Sequence, residues 1–248
     1  MKEQLGRAWY ICRKDLRAYS LKPPLISWGL MFPAAMVLAF YLRNPTDIGQ
    51  VIPGLIGITL LFGATSMEAV VITFEKRTGA LERLAMAPVA PAAILLGKVA
   101  SGGIFALAMG TLVSLASLPF AGPTAISLSR VLSLLVTLVL GAVAFSLLGA
   151  FVSVAVREVF DAMTLANYFR FPMLFLSGVF APLAAMPGLL QGVAYLLPLT
   201  YVVDALRHAL GGPAALPLAL DWALTLAFCA ALCLGAWRML LRQLEEPR

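Results

Sequence analysis

The sequence predicts an all-α integral membrane protein, and three observations support that fold class. Hydrophobic residues make up 61% of the 248 residues and charged residues 12%, whereas about a quarter of a soluble domain is charged. A bilayer core of about 30 Å requires about 20 apolar residues at roughly 1.5 Å of helical rise each. Five apolar stretches approach or meet this length: residues 25–42, 51–74, 92–120, 131–156 and 216–237.

Residues 1–22 predict an amphipathic helix along the cytoplasmic membrane surface. Its apolar residues repeat at helical spacing on one face: Leu5, Trp9, Cys12, Leu16 and Tyr19. Such a helix rests at the interface with its aromatic side chains at headgroup depth. An ordinary solvated leader is the alternative. We expect no signal peptide, because this stretch is basic and has no continuous apolar core.

A sixth region, residues 169–210, is apolar but interrupted by prolines and charges. Its first part predicts a fifth span from about Asn167 to between residues 182 and 187. A further span over residues 188–212 would place Asp204, Arg207 and His208 in lipid, at about 2.5–3.5 kcal/mol for each charge. Two short helices that enter the outer leaflet and return avoid this cost. We therefore predict six spans, with an outer re-entrant helix pair between spans five and six.

The basic residues indicate how these spans are oriented. With a cytoplasmic N-terminus and six spans, only Arg43, Arg130 and Arg207 of the 18 Lys and Arg residues lie outside. This is the positive-inside pattern, and it places both termini in the cytoplasm. The net charge of +6 is therefore assigned to topology and to anionic lipid headgroups rather than to nucleic acid.

Most catalytic and cofactor-binding patterns are missing from the sequence. His208 is the only histidine, so we expect no histidine-built metal site and no histidine-centred proton relay. Gly97-Lys98 lacks the preceding Gly and following Ser or Thr of a phosphate-binding loop. We expect no cofactor on this chain. Glu68 is the most internal acid, and it either binds a neighbouring helix or lines a substrate path.

The densest mixed-charge run follows the second span, over residues 75–90. A short amphipathic helix fits residues 80–87, with Pro88 ending it. Either this segment is a solvated loop, or it is a short rigid element fixed at both ends by Gly79 and Pro88 and suited to transmitting force.

Three stretches together resemble the ABC type-2 permeases, and in particular daunorubicin-type drug efflux permeases. They are Phe-Glu-Lys-Arg-Thr-Gly-Ala-Leu-Glu-Arg-Leu at residues 74–84, Phe-Leu-Ser-Gly-Val-Phe-Ala-Pro at 175–182, and Leu-Pro-Leu-Thr-Tyr-Val-Val-Asp-Ala-Leu-Arg at 197–207. The resemblance covers essentially the whole chain as a single permease domain, residues 1–248. Two departures are Lys76-Arg77 in place of the usual Arg-Glu and Ala80 in place of a common Thr.

The resemblance implies specific roles for residues. The coupling segment that docks the ATPase corresponds to Glu75, Arg77, Gly79, Leu81, Glu82, Arg83 and Pro88. The outer gate region corresponds to Pro182, Pro187, Pro198, Tyr201, Asp204 and Arg207. It also implies an N-terminal elbow helix, two permeases forming the path (a second copy or a paralogue), and two separate ABC ATP-binding subunits that carry ATP and Mg²⁺.

These features predict the transmembrane subunit of an ATP-driven exporter in the bacterial inner membrane. The apolar spans favour an amphipathic drug or lipid-like cargo, and export of a polysaccharide or another polymer, or of a peptide, is left open. A passive channel or scaffold would need no ATPase. A membrane-embedded enzyme is disfavoured because no nucleophile–base pair or metal constellation is present.

Overall fold

The computed structural model describes residues 2–43, 48–117, 127–180 and 183–245, and all regular elements within these ranges are helical. The all-α fold class is thereby confirmed. The helices are α1 (Lys2–Tyr19), α2 (Pro23–Ile26), α3 (Phe32–Arg43), α4 (Ile48–Arg77), α5 (Ala80–Met86), α6 (Pro91–Ser117), α7 (Leu128–Ala155), α8 (Val159–Leu176), α9 (Gly188–Ala194), α10 (Pro198–Leu210) and α11 (Leu218–Glu245).

Helix α4 forms the centre of the bundle. Every residue from 52 to 73 is buried, because α3, α6, α7, α8 and α10 all pack around this helix. Its core side chains include Ile56, Leu60 and Phe62, which form one cluster with residues of α7 and α10. A helix that is apolar on every side must be covered on every side, and α4 meets that condition with protein rather than lipid.

Within the described residues, four helices are long and apolar enough to cross a membrane: α4, α6, α7 and α11. The count becomes five if the bent pair α9–α10 is taken as one span. The first predicted span, residues 25–42, is divided into α2, a π-helical turn (Ser27–Met31) and α3. Pro33 has no backbone N–H to donate to the preceding turn, and a wider π turn at this point accommodates the loss.

The predicted bounds of the fifth span were wrong. Helix α8 begins at Val159 rather than near Asn167, and it ends at Leu176. Glu158 precedes the helix, where a negative charge is favourable. After Ser177, the backbone of Gly178 adopts a φ of 76°, which ends the helix before the predicted limit.

Residues 188–212 form two helices rather than one. The axes of α9 and α10 differ by 89° across the short break between them. Leu197 is extended, and Pro198 occupies the first turn of α10, the helix position that tolerates proline. Gly211, with a φ of 79°, ends α10. The two short helices predicted for this region are therefore present.

Helix α1 packs along α6 at very close range. A methyl group on Gly97 would lie 2.8 Å from the carbonyl oxygen of Ala8 and 2.8 Å from Cβ of Ile11, so only glycine permits this approach. The buried face of α1 is formed by Ala8, Ile11, Cys12 and Asp15. Leu5 and Trp9, which the sequence analysis placed on that face with Cys12, are 58% and 55% exposed.

Candidate coupling site

The segment after α4 is held by its own backbone before α5 begins. The N–H groups of Thr78 and Gly79 donate to the carbonyl oxygens of Phe74 and Lys76, each at 3.1 Å. Gly79 has a φ of 65°, a left-handed conformation that glycine adopts without steric cost. The guanidinium of Arg83 donates to the Thr78 carbonyl at 3.1 Å. The predicted turn at Gly79 is thus a defined reversal that fixes the start of α5.

Helix α5 presents one face to the protein and the other outward. Leu81 is buried in a cluster with Ile11 of α1 and Ile94 of α6. The residues on the open side of the segment are exposed: Glu82, Arg83, Met86 and Pro88. Met86 is 80% exposed. The amphipathic helix predicted for this segment is therefore present, at Ala80–Met86.

Glu75 is buried in an ion network rather than exposed for docking. Its Oε2 lies 2.5 Å from Nζ of Lys98 on α6, which also lies 2.8 Å from Oδ2 of Asp15 on α1. Lys14 bridges the same two acids, at 2.9 Å from Oδ1 of Asp15 and in direct contact with Oε1 of Glu75. Asp15, Glu75 and Lys98 are each at most 2% exposed, while Lys14 is half exposed. This network joins α1, α4 and α6.

The ion network shifts the pKa values of Lys14 and Asp15 on α1. Burial raises the pKa of Asp15, and the nearby Lys98 opposes that shift. Burial acts to lower the pKa of Lys14, but its contacts with Glu75 and Asp15 outweigh burial and raise the pKa. Opposite charges within about 4 Å favour the ionised forms, so the two lysines keep the acids of this network from being isolated charges.

Lys76 ties the base of α5 to α7. Its Nζ donates to three carbonyl oxygens at the end of α7, those of Ser153 (3.0 Å), Val154 (2.6 Å) and Val156 (3.0 Å). The last carbonyls of a helix lack partners within the helix, and a cation there also complements the helix dipole. Arg77 lies 3.9 Å from Glu158, and this ion pair is exposed.

Glu68 bridges three helices inside the bundle. It is fully buried, and Oε1 accepts from the backbone N–H of Gly102 at 3.1 Å and from Ser146 Oγ at 3.2 Å. A methyl group on Gly102 would overlap this carboxylate and Ser146 Oγ. Of the two roles considered for Glu68, the geometry supports hydrogen bonding to neighbouring helices.

The predicted outer gate residues lie mainly on α10. Those within the described chain are Pro187, Pro198, Tyr201, Asp204 and Arg207, and Pro182 lies outside the described residues. Pro187 is exposed at the start of α9, whereas Pro198, Tyr201 and Asp204 are buried. The Tyr201 hydroxyl donates to the carbonyl of Tyr195, and the Arg207 guanidinium donates to the carbonyl of Gly178. These contacts join α10 to the end of α9 and to the turn that follows α8.

Sequence reasoning missed Lys98, Asp15 and Arg170 as buried residues. Arg170, counted there only as a cytoplasmic charge, is fully buried and donates to Thr65 Oγ1 at 2.7 Å and Ser66 Oγ at 2.9 Å. Its guanidinium also lies 5.0 Å from the ring centre of Phe62. A lone basic residue inside an apolar segment was the available signal, since such residues usually face the bundle interior.

Comparison with known proteins identifies the family. Residues 7–210 match the model of the ABC-2 type transporter family. The protein named inner membrane transport permease YadH from Escherichia coli K12 is 29% identical over 195 residues, which are 77% of this chain and 74% of that protein. Permeases of the same name from Escherichia coli O157:H7 and Shigella flexneri match to the same extent. The chain belongs to the ABC-2 type transporter family, as a multi-pass membrane permease and a transporter subunit rather than an enzyme.

Proposed function

We propose that this permease forms an exporter for amphipathic cargo with a separate ABC ATP-binding subunit, and that α5 is the element that docks this subunit. The observation that carries the proposal is the two-sided construction of α5. Leu81 anchors its inner face, and Glu82, Arg83 and Met86 remain exposed on its outer face. Methionine and arginine are both enriched at protein–protein interfaces.

The contacts behind α5 support a role in transmitting movement. Glu75 connects the end of α4 to Lys98 and Asp15, and Lys76 connects it to the end of α7. A displacement of α5 would therefore be transmitted to α1, α4, α6 and α7 together. A loop without these contacts would not transmit it. In this proposal Glu75 and Lys76 are positioning residues, while Glu82, Arg83, Arg77 and Pro88 face the ATPase, with Gly79 as the fixed turn.

The proposed assembly contains two permeases, a second copy or a paralogue, and two ATP-binding subunits that hold ATP and Mg²⁺. Each permease is a single domain with six spans, in which α2–α3 supplies the first span and α8 the fifth. Helix α1 is the elbow at the cytoplasmic interface, and α9–α10 is the outer re-entrant pair with the gate residues. Both termini lie in the cytoplasm, and the protein resides in the bacterial inner membrane.

The buried ionisable groups favour amphipathic cargo. Glu68, Glu75, Lys98 and Arg170 all make hydrogen bonds within the chain, so they are engaged rather than arranged along a polar path. Polysaccharide export is the alternative, and it would require a polar lining. ATPase activity of the reconstituted complex should rise with an amphipathic drug and stay unchanged with a soluble oligosaccharide. The opposite result would favour polymer export.

Docking is tested by copurification from native membranes with a tagged chain. The test variant exchanges the charges of α5, E82R with R83E, which keeps the net charge constant. The matched control is E3R with R7E, which exchanges an ion pair on the surface of α1. We expect the wild type and the control to retain an ATP-binding subunit and the α5 variant to lose it.

Each other outcome has a defined meaning. Retention of the ATPase by the α5 variant would move the docking site away from Glu82 and Arg83. If both variants lose the ATP-binding subunit, charge exchange would have a general effect on the proposed cytoplasmic end of the bundle. Failure of the wild type to recover an ATPase in several mild detergents would contradict the exporter assignment and favour a channel or scaffold.

A further inference from the structure

Three potential metal ligands lie together where α10 meets the first turn of α11. One ligand atom from each of Asp204, His208 and Asp221 lies within 4.8 Å of the others. Asp204 and His208 are four residues apart on α10, so they share one face of that helix. Ligand atoms around a tetrahedral zinc ion lie roughly 3.4 Å apart, and modest side-chain rotation would bring these three to that separation.

Asp221 needs a partner that the described protein groups do not provide. It is 0% exposed, and neither of its carboxylate oxygens has a hydrogen-bond partner. A buried carboxylate without compensation is strongly unfavourable. Arg207, the nearby cation on α10, directs its guanidinium to the carbonyl of Gly178 instead. The charge of Asp221 must therefore be met by a bound cation or removed by a proton.

The other two ligands are held in place by the segment that links α10 to α11. Asp204 accepts from the backbone N–H groups of Ala215 (2.9 Å) and Leu216 (2.8 Å). His208 Nε2 lies 2.6 Å from the carbonyl oxygen of Leu216. A carbonyl can only accept, so Nε2 carries the hydrogen and Nδ1 has the lone pair that is available to a metal. Metal-bound histidines usually donate their other N–H in this way.

The start of α11 is also fixed. The indole N–H of Trp222, the neighbour of Asp221, donates to Thr137 on α7 at 3.0 Å. The rings of Tyr201 and Phe228 pack with their centres 6.0 Å apart, joining α10 to α11 a little further along. The cluster therefore lies between two helices whose separation is already set, which lowers the cost of organising a site.

The cluster occupies the end of the bundle remote from α5. Gly211, at the end of α10, packs against Arg130 in the first turn of α7, whereas Lys76 near α5 contacts the last turn of α7. His208 is only half buried, so a small ion can reach the cluster from that end.

We propose that Asp204, His208 and Asp221 bind a divalent cation of the zinc class that holds α10 against α11. One imidazole and two carboxylates are a ligand set that suits zinc with an open position. Mg²⁺ and Ca²⁺ prefer oxygen ligands throughout. The proposal concerns metal binding and its effect on the stability of this chain, so its test needs only the purified full-length chain.

The test compares the thermal stability of the chelator-treated chain with and without added ZnCl₂ or MgCl₂. Zinc at 100-fold over its dissociation constant should raise the unfolding temperature by roughly 5–11 °C, and magnesium should not. The variants D221N and H208Q should lose the zinc response, while D161N, which changes an exposed acid on α8, should keep it. D221N removes an uncompensated charge, so its unfolding temperature without metal should equal or exceed that of the wild type.

Cobalt(II) gives a second measurement. The wild type should develop the visible absorption of cobalt bound in a site of low coordination number, and H208Q should not. An equal zinc response in D221N, an equal response to magnesium, or no response of the wild type to millimolar zinc would each overturn the proposal. In the last case, stability that changes with pH alone would assign the balancing charge to a proton.

Discussion

Replacing Lys98 with Met removes the central cation of the network that joins α1, α4 and α6. Lys98 is 2% exposed and contacts Asp15 at 2.8 Å and Glu75 at 2.5 Å. Removing one partner of a buried ion pair costs about 3–5 kcal/mol, because the other charge is left without compensation. Lys14 still contacts both acids but is half exposed, so we expect the lower value. At 2–4 °C for each kcal/mol, about 3 kcal/mol corresponds to roughly 6–12 °C.

The assay is the unfolding temperature of the purified chain in detergent at one fixed heating rate, since heat denaturation of such proteins is usually irreversible. The control is K22M, which changes an exposed lysine just beyond α1 and should shift the unfolding temperature little. A second variant, K98M with D15N and E75Q, removes the unpaired acids and should recover most of the loss. A K98M protein within the error of the wild type would refute the role assigned to this network.

The pH dependence of K98M follows from the shifted pKa of Asp15. Burial raises this pKa above its usual 3.8, and Lys98 opposes the shift. A carboxyl with a raised pKa binds its proton more tightly in the folded state, so the free energy of unfolding falls as the pH rises above 3.8. Without Lys98 the pKa of Asp15 rises further. The deficit of K98M should therefore be smaller near about pH 5 than near about pH 8, and an unchanged deficit would contradict this explanation.

Two further predictions follow from buried contacts. Gly102→Ala places a methyl group against the carboxylate of Glu68 and Ser146 Oγ, and we expect a loss of about 1–3 kcal/mol in the free energy of unfolding. Gly6→Ala is the matched control, because its methyl group would contact nothing within 4 Å and alanine favours the helix. Burial raises the pKa of Cys12 to about 11, so a maleimide should label it at neutral pH far more slowly in the folded chain than in denaturant. A variant that keeps Cys12 as its single cysteine, labelled with and without denaturant, measures this difference, and equal rates would contradict the burial of Cys12.

Apolar stretches and the prolines that interrupt them predicted most helices of this protein. The stretches at residues 51–74, 92–120, 131–156 and 216–237 correspond to the four long helices α4, α6, α7 and α11. The bend of 89° between α9 and α10 falls next to Pro198, one of the prolines that interrupt the apolar region. These signals are local, since backbone hydrogen bonds in lipid must be satisfied within a segment and proline acts on its own turn. The start of α8 was misplaced because a helix is not limited to the part of it that is apolar.

The partners of the charged residues could not be predicted in the same way. The sequence predicted Lys98 to be a cytoplasmic basic residue beside an incomplete phosphate-binding motif, and Glu75 to take part in docking. In the structure they contact each other and Asp15, which is 83 residues from Lys98 in sequence. His208 was set aside because it is the only histidine, yet α11 brings Asp221 beside it. Contacts of this kind depend on how helices are arranged, and hydropathy contains no information about that arrangement.

The sequence by itself determined that this chain is a helical membrane permease, because apolar length, proline positions and the motif around α5 are properties of continuous segments. The tertiary structure alone decided which charges are exposed and which are joined. Lys98 on α6 and Glu75 on α4 are buried against α1. Glu82 and Arg83 on α5 are exposed at the surface. A buried charge needs compensation from other helices, which is an opposite charge for Lys98 and Glu75 and hydroxyl groups for Arg170. These partners are in place only when the bundle is assembled.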